Sequence, residues 1–352
     1  MALLMQESFD FYASTASLLN SAWTRATGSL SFPGGRRSSR AASVNGYATG
    51  LTYWISYILP VENTGVIWWG FAFAQEALAG VNTEWIRVQS AAPAFGNQFT
   101  LDITAAGRVR VKVSAAGAVL AESADGAIKL DGTFQFIEIG FQCAASASVA
   151  VWVNGVSVLS GNALNLRQSG AGGCGRLVCG SPANNVANAA FYDDMYLLDT
   201  TGDAPFNARL GDYKVDAHLF TADDDVEWAS TEAAHHDSIN VVGANYAVDY
   251  IESDGVGEQD SFAITPGDMT TIQAVELVAY CRNPGGGTAK CKPFVKIDST
   301  IYYGDEVTLP ADTCNKRSYV WLLNPAGDPD PIPWTKAVVT DATFGWETTV
   351  LA

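Results

Sequence analysis

Residues 149–153 and 156–159 alternate β-forming apolar residues with small or polar ones, and only Asn154-Gly155 stands between the two runs. Asn and Gly both accept the positive φ of a two-residue type I′ turn, so the spacing predicts a β-hairpin. The same pattern recurs upstream. Residues 99–103, 108–113 and 119–122 are short alternating runs joined by Thr-Ala-Ala-Gly and Ser-Ala-Ala-Gly, which describes an antiparallel meander. Arg108, Arg110 and Lys112 alternate with Val109, Val111 and Val113, giving the strand one charged, solvated face and one buried face. Further strands are predicted over 134–141 and 191–198. No sustained helical period competes with them; a helical turn near 204–210 is the strongest exception.

A chain that is 48% hydrophobic and 16% charged can bury enough apolar area to offset its ordering entropy, which excludes a disordered protein. Ten Trp and 33 Gly suit packed sheets joined by tight turns. The expected fold class is therefore all-β, and 352 residues allow two domains.

The net charge of −17 is unevenly spread. Residues 1–210 carry 14 acidic and 12 basic residues, a net of −2; residues 211–352 carry 23 and 8, a net of −15. Between 211 and 260, 13 acidic residues face the single Lys214. Such a surface repels phosphate backbones, so nucleic acid is not an expected partner. Arg36, Arg37 and Arg40 form the one concentrated basic patch, placed by Pro33-Gly34-Gly35 on a solvated turn.

The first residues lack the basic start and long apolar run of a signal peptide. The apolar runs 51–61 and 66–74 are each far short of the roughly 20 residues of a membrane helix. Membrane insertion is not expected, and synthesis in a cytoplasm is.

From residue 260 a second β unit is expected. Runs 272–281 and 292–297 read as a hairpin around Asn283-Pro284-Gly285-Gly286-Gly287, with Cys281 and Cys291 symmetric about Gly286. Facing cysteines on paired strands admit a disulfide in an oxidising medium, but after cytosolic synthesis two small buried thiols are the preferred reading. Cys174 and Cys179 lack the second pair or nearby His that would make a zinc site. Strands are also expected over 213–220, 246–251 and 319–323, and the segment 334–344 leads to the end of the chain.

Two places resemble a family of phage and prophage structural proteins. The first is Phe191-Tyr192-Asp193-Asp194-Met195-Tyr196-Leu197-Leu198-Asp199-Thr200-Thr201-Gly202, followed by Leu210-Gly211-Asp212-Tyr213-Lys214-Val215. It looks like the last strand and exit of a concanavalin A-like, laminin-G-like jelly roll. The second is Asn324-Pro325 with Trp334-Thr335 and Phe344-Gly345, similar to the tail of the same proteins, although the insertion 327–333 is longer than that pattern has. Glu7-Ser8-Phe9-Asp10-Phe11-Tyr12 and Trp152-Val153-Asn154-Gly155 fit the opening strand and penultimate hairpin. The resemblance implies a jelly roll over 1–212, an acidic connector with short strands over 213–259, and a smaller β-sandwich-like domain over 260–352.

The candidate chemistry is sparse. Asp223-x-Asp225-x-Glu227 would align three carboxylates on one strand face, as retaining glycoside hydrolysis needs for two of them. It lies outside the jelly roll and lacks flanking apolar residues, so no catalytic residue is assigned and a polysaccharide depolymerase ranks last. Adjacent Asp193 and Asp194 should point to opposite strand faces, one binding a structural cation or capping a turn and the other solvated. A structural calcium is left open without assigned ligands, and no cofactor is expected. His235-His236 does not have metal-ligand spacing on a helix. Trp23, Trp54, Trp68, Trp69, Trp85 and Trp152 lie mostly in apolar runs, where core packing is the default. Trp68-Trp69 is the exception, because one of two adjacent strand residues must face outward.

Four ligand or interface candidates follow: Trp68, Trp69, Asp193 and Asp194. The resemblance implies a non-enzymatic virion protein, tail-associated and homo-oligomeric, packing against other virion proteins and touching host-surface glycan. A capsid decoration or head spike that binds host glycans is the alternative.

Overall fold

In the computed structural model of the chain, Asn154 and Gly155 adopt φ values of 48° and 78°, and Val153 pairs with Val156 beside them. The type I′ hairpin forms where the sequence places it. The structure describes residues 3–10, 12, 23–25, 30–36, 41–45, 54–76, 83–114, 117–169, 172–180, 189–240, 249–311, 314–327 and 332–351. The chain divides into two units, Met1–Asp216 and Ala217–Ala352.

The strands of the first unit are β1 (Leu3–Glu7), β2 (Trp23–Arg25), β3 (Leu30–Ser31), β4 (Ala42–Asn45), β5 (Trp54–Asn63), β6 (Val66–Gln75), β7 (Thr83–Gln89) and β8 (Asn97–Ile103). They continue as β9 (Val109–Lys112), β10 (Val119–Glu122), β11 (Gln135–Gln142), β12 (Ala147–Val153), β13 (Val156–Leu164), β14 (Cys174–Gly180) and β15 (Ala189–Asp199). Among the described residues they build an eight-stranded sheet, β13-β12-β11-β6-β15-β4-β3 with β1 also on β15, and a seven-stranded sheet, β10-β9-β8-β7-β14-β5-β2. The expected meander is the run β8-β9-β10. The helical turn weighed at 204–210 is a series of turns, with Phe206 N–H donating to Asp203 O.

Alternation explains why the sheets stack. Trp69, Phe71 and Phe73 of β6 are buried; Phe71 and Phe73 meet Trp85 of the other sheet at ring-centroid distances of 5.8 and 5.0 Å. Phe99 and Phe141 span the same interface at 5.2 Å. Two all-antiparallel sheets face to face, with the chain crossing between them at β1–β2, β2–β3, β4–β5, β5–β6, β6–β7, β10–β11, β13–β14 and β14–β15, make a jelly-roll sandwich of the concanavalin A type.

The second unit holds β16 (Phe220–Val226), β17 (Ala229–Ser230), α1 (His235–Ile239), β18 (Ile251–Glu252), β19 (Gln259–Ile264) and β20 (Val275–Cys281). After these come β21 (Ala289–Ile297), β22 (Thr300–Tyr303), β23 (Val307–Thr308), β24 (Asn315–Trp321), α2 (Lys336–Asp341) and β25 (Thr343–Leu351). Its six-stranded sheet runs β16-β19-β25-β21-β22, with β23 on β21; β17-β18 and β20-β24 are separate pairs. Leu277, Val295, Trp321, Trp334, Val339, Phe344 and Trp346 belong to its core.

Several expectations change here. The stretch 213–259 is divided between the units, because β16 is hydrogen-bonded into the six-stranded sheet beside β19. Residues 213–219 form no strand; 246–248 lie outside the described residues. The hairpin across Gly286 does not form. β20 pairs with β24 from Val275↔Trp321 to Cys281↔Asn315, whereas β21 pairs with β25, β22 and β23. The Asn283 side chain folds the connector back on itself, accepting from Gly285 N–H at 3.0 Å and donating to Gly287 O at 2.8 Å. That turn carries the chain from one sheet to another. The helix α2 has no counterpart in the sequence reading. It is short, and Thr335 caps it by accepting from Val338 N–H.

Candidate functional site

Trp69 points into the sandwich, 1% exposed, with its ring 5.1 Å from Phe71. Trp68 takes the opposite, outer face of the eight-stranded sheet and is half-buried. Its ring lies flat on Gly140, where a Cβ would come within 2.7 Å of it. Trp23 and Trp85 are core residues, and Trp152 is half-buried on the outer face; the Trp54 side chain lies outside the described residues.

Asp193 and Asp194 do not divide between a buried and a solvated face. A bulge interrupts the β15–β6 register between Asp193 and Tyr196, and Asp194 sits at φ 49°, a conformation Asp tolerates better than most residues. Both carboxylates are buried. Asp193 accepts from Arg36 N–H and Asp194 N–H, each at 2.8 Å. Asp194 accepts from Val215 N–H at 2.9 Å, and the Arg36 guanidinium lies 3.6 Å from it. Arg36 also pairs with Asp212 at 2.6 Å, so it is a bracket between segments rather than part of a solvated basic turn. Arg37 and Arg40 lie outside the described residues.

The chain's own exit segment closes much of this outer face. Glu138, 1% exposed, accepts from Tyr196 O–H at 2.6 Å, Gly211 N–H at 2.8 Å and Arg209 at 2.8 Å. The Tyr196 hydroxyl in turn accepts from Leu210 N–H at 3.1 Å; burial, then the Glu138 charge, pushes its phenol well up. Arg209 lies 4.0 Å over the Trp152 ring, and Phe206 and Tyr213 are buried.

The outer face of the seven-stranded sheet is different. Ser56, Val178, Arg87, Thr100 and Lys112 stand in one register row across β5, β14, β7, β8 and β9. The next row holds Glu84, Asp102, Arg110 and Glu122. Glu84 and Arg87 share a face three residues apart because a bulge follows Glu84. Arg87 Nε donates to Glu84 at 2.6 Å, and that bond holds its guanidinium above the usual range. Arg110 grips Asp102 through two bonds of 2.7 Å, with Lys112 at 3.3 Å from the same carboxylate. Arg176 donates to Ser56 Oγ at 3.0 and 2.8 Å and stacks 4.9 Å from the Phe95 ring. Burial, with the nearby Arg87 charge, lowers its pKa. Thr100 Oγ1, buried between Arg87 and Lys112, has no hydrogen-bond partner. At the edge Arg108 pairs with Glu122 at 2.8 Å and Asp125 at 2.7 Å. The expected solvated triplet is thus split: Arg108 reaches solvent, whereas Arg110 and Lys112 gather on buried Asp102.

Sequence reading missed Glu84, Arg87, Thr100 and Arg176. Alternation in 83–89 was the available signal, but the bulge puts Glu84 and Arg87 out of the two-residue period.

In the second unit Asp223, Asp225 and Glu227 do not converge. The β16 register breaks between Asp223 and Val226. Asp223 accepts from His235 N–H, His236 N–H and pairs with His236 Nδ1 at 2.8 Å. Asp225 meets Lys296 at 2.9 Å, and Glu227 accepts from Gln259 N–H at 2.7 Å. His235 Nδ1 lies 2.6 Å from Asp260. Among the described residues no group of three or more His, Cys, Asp or Glu is arranged to hold a metal ion, and no helix is long and apolar enough to cross a membrane.

No family model matches this sequence, and no curated protein matches it. Among solved structures, the cellulose-induced protein Cip1 is 14% identical, with a TM-score of 0.43, over 59% of this chain and 99% of that one. An endo-β-1,4-glucuronan lyase from the fungus Trichoderma reesei is 9% identical, with a TM-score of 0.39, over 53% of this chain and 91% of that one. A protein of unknown function with a galectin-like fold from Bacillus subtilis is 12% identical, with a TM-score of 0.36, over 56% and 96%.

Proposed function

We propose that this chain is a non-enzymatic structural protein of a bacteriophage particle, tail-associated and homo-oligomeric, whose jelly roll contacts host-surface glycan. The observation that carries the glycan contact is the contrast between its two outer faces. Glu138, Tyr196 and Asp194 tie the exit segment 209–215 across one sheet. The other sheet presents Arg87, Arg110 and Arg176, all partly exposed, in ordered rows. Polar side chains fixed by their neighbours are suited to sugar hydroxyls, because little side-chain entropy remains to be lost on binding.

The phage assignment rests on the sequence resemblance alone. The two stretches that carry it, 191–202 and 210–215, are bonded to each other through Asp194–Val215 and Tyr196–Leu210, so they describe one structural device. Against catalysis at Asp223, Asp225 and Glu227 stands their dispersal to separate partners.

Binding of the full chain to a glycan array tests the surface role. Retention of several glycans, lost in Arg87→Gln, is expected; no retention on any glycan overturns it. Purified particles of the parent phage should contain the chain by mass spectrometry, and its absence there removes the virion assignment.

A further inference from the structure

We infer that the outer face of the eight-stranded sheet, over β6, β11, β12 and β13, binds a neutral oligosaccharide stacked on Trp68. The inference rests on the glycan-contact reading above and adds a second site to it: glycans held through Arg87 and neutral glycans held here are different sets.

Charge comes first. β6, β12 and β13 contain no Asp, Glu, Lys or Arg. In β11 the exception is Glu138, which is 1% exposed and taken up by Tyr196, Gly211 and Arg209. The whole stretch 139–166 is uncharged, in a chain that is 16% charged. A carboxylated or sulfated sugar would lose hydration here with no cation on these strands to offset the loss. The face therefore selects an uncharged ligand.

Shape comes second. Trp68, Gly140, Ala150 and Ser160 form one row across the four strands. Trp152 and Ser157 end the row on one side of it, and Val66 and Gln142 begin the row on the other. With a hydrogen at Gly140 and a methyl group at Ala150, the middle of the face is low. The Trp68 indole lies flat on Gly140 and half-buried, so its ring is placed before any ligand arrives. A ring held in this way stacks on the C–H face of a sugar at little cost in side-chain entropy. Arg209 already covers the Trp152 ring at 4.0 Å, which leaves Trp68 as the platform and Trp152 as its wall.

Unused polar groups supply the independent observation. The indole N–H groups of Trp68 and Trp152 have no partner among the described residues and, unlike that of Trp69, reach solvent. The Ser157 and Ser160 hydroxyls are exposed and equally unpartnered. Asn162 accepts from Ser148 at its Oδ1, at 2.8 Å, and keeps its amide N–H groups. Uncharged groups of this kind match sugar hydroxyls, which both donate and accept.

Size decides against a second copy of the chain. Four strands about 4.8 Å apart and three rows about 6.8 Å apart give the face roughly 400 Å². A stable protein interface takes about 800 Å² from each partner. A short oligosaccharide needs less.

The test titrates the full chain with cellohexaose, laminarihexaose, maltohexaose, chitohexaose and polygalacturonate by isothermal calorimetry. A neutral hexasaccharide is expected to bind, with an affinity unchanged between about 50 and about 500 mM salt. Trp68→Ala should weaken it at least about tenfold, and Ser160→Arg, which puts a bulky side chain at an exposed end of the same row, about as much. Should Trp68→Ala fail to fold, hydroxyl-radical footprinting of the unmodified protein decides: the bound sugar should shield Trp68 and Trp152 from oxidation. Neutral binding that survives both substitutions and leaves Trp68 unshielded overturns this site and leaves the glycan reading standing. Binding of polygalacturonate alone, or of none of the hexasaccharides, does the same. Binding of no glycan at all, on the array included, overturns both. A dimer that Ser160→Arg dissociates in sedimentation, with sugar affinity unchanged, shows that a second copy occupies the face and overturns the site too.

Discussion

The Glu138 carboxylate and the Arg209 guanidinium meet at 2.8 Å on the outer face of the eight-stranded sheet, the first 1% and the second 30% exposed. That asymmetry predicts unequal mutants. Glu138→Ala strands Tyr196 O–H, Gly211 N–H and Arg209 without their shared acceptor, and should cost about 3 kcal/mol. Arg209→Ala leaves Glu138 two donors and some solvent, and should cost about 1–2 kcal/mol. Urea unfolding followed by tryptophan fluorescence measures both; equal losses would show that the ion pair dominates over the hydrogen-bond network.

Gly70 and Gly140 sit on the same face and should differ in tolerance. A Cβ at Gly70 would lie 2.1 Å from the Tyr196 ring, and one at Gly140 2.7 Å from that of Trp68. Tyr196 is fully buried and held at its hydroxyl, while Trp68 is half-buried and can shift. Gly70→Ala is expected to destabilise by about 1–3 kcal/mol through overpacking, and Gly140→Ala by less. Thermal midpoints of the two variants check the order.

Much of this fold could be read from local pattern. The Asn154-Gly155 turn and the β8-β9-β10 meander depend on residues a few positions apart, and both appear in the structure. What escaped was set by non-local pairing. The partner of β20 is β24, more than thirty residues on, and not the adjacent β21. Bulges hid the rest: the one at Asp194 brought an expected solvated carboxylate under the Arg36 guanidinium and the Val215 backbone, where it is buried, and the one after Glu84 concealed Arg87 from a two-residue period. Alternation assumes an unbroken pleat, and the most polar positions of these sheets lie where the pleat breaks.

Acid should weaken the second unit. Burial raises Asp224, but Lys296, Thr343 and Ser261 outweigh it and hold the carboxyl below its ordinary range. Asp223 behaves likewise through the His236 and His235 amides and the His236 ring, and Glu347 through Tyr303 and Lys292. A carboxylate with a depressed folded pKa contributes stability above its unfolded value, lost as pH falls through the folded one. The window therefore opens below about pH 4. Asp260 acts in the opposite sense, since burial raises it despite its bonds to His235 and Trp228. Asp224 is 34% exposed, so screening holds its share to about 1 kcal/mol or less. Lys296→Met should flatten the part of the acid limb of stability that Asp224 contributes, measured between about pH 5 and pH 2; an unchanged limb would show that Asp224 gains nothing from Lys296.

The cysteines should separate into two classes of reactivity. Burial pushes Cys143 up to about 12 and Cys174 and Cys179 well up, so these thiols should label only in denaturant. Cys281 and Cys314 are half-buried, and Cys314, raised to about 11 by burial, should label slowly in the native state. Cys281 is a special case, because the neighbouring Cys291 thiol and then burial push it well up, although the two lie in different sheets. Oxidised glutathione should therefore close a Cys281–Cys291 disulfide, the two thiols giving up their hydrogens as two molecules of reduced glutathione leave. Mass spectrometry should show the intact chain lighter by two hydrogens and a peptide pair linked through these residues. Cys281→Ser should abolish the product and Cys314→Ser should preserve it. A native chain that keeps all six thiols under oxidised glutathione would mean that the sulphur contact is too constrained to reach disulfide geometry.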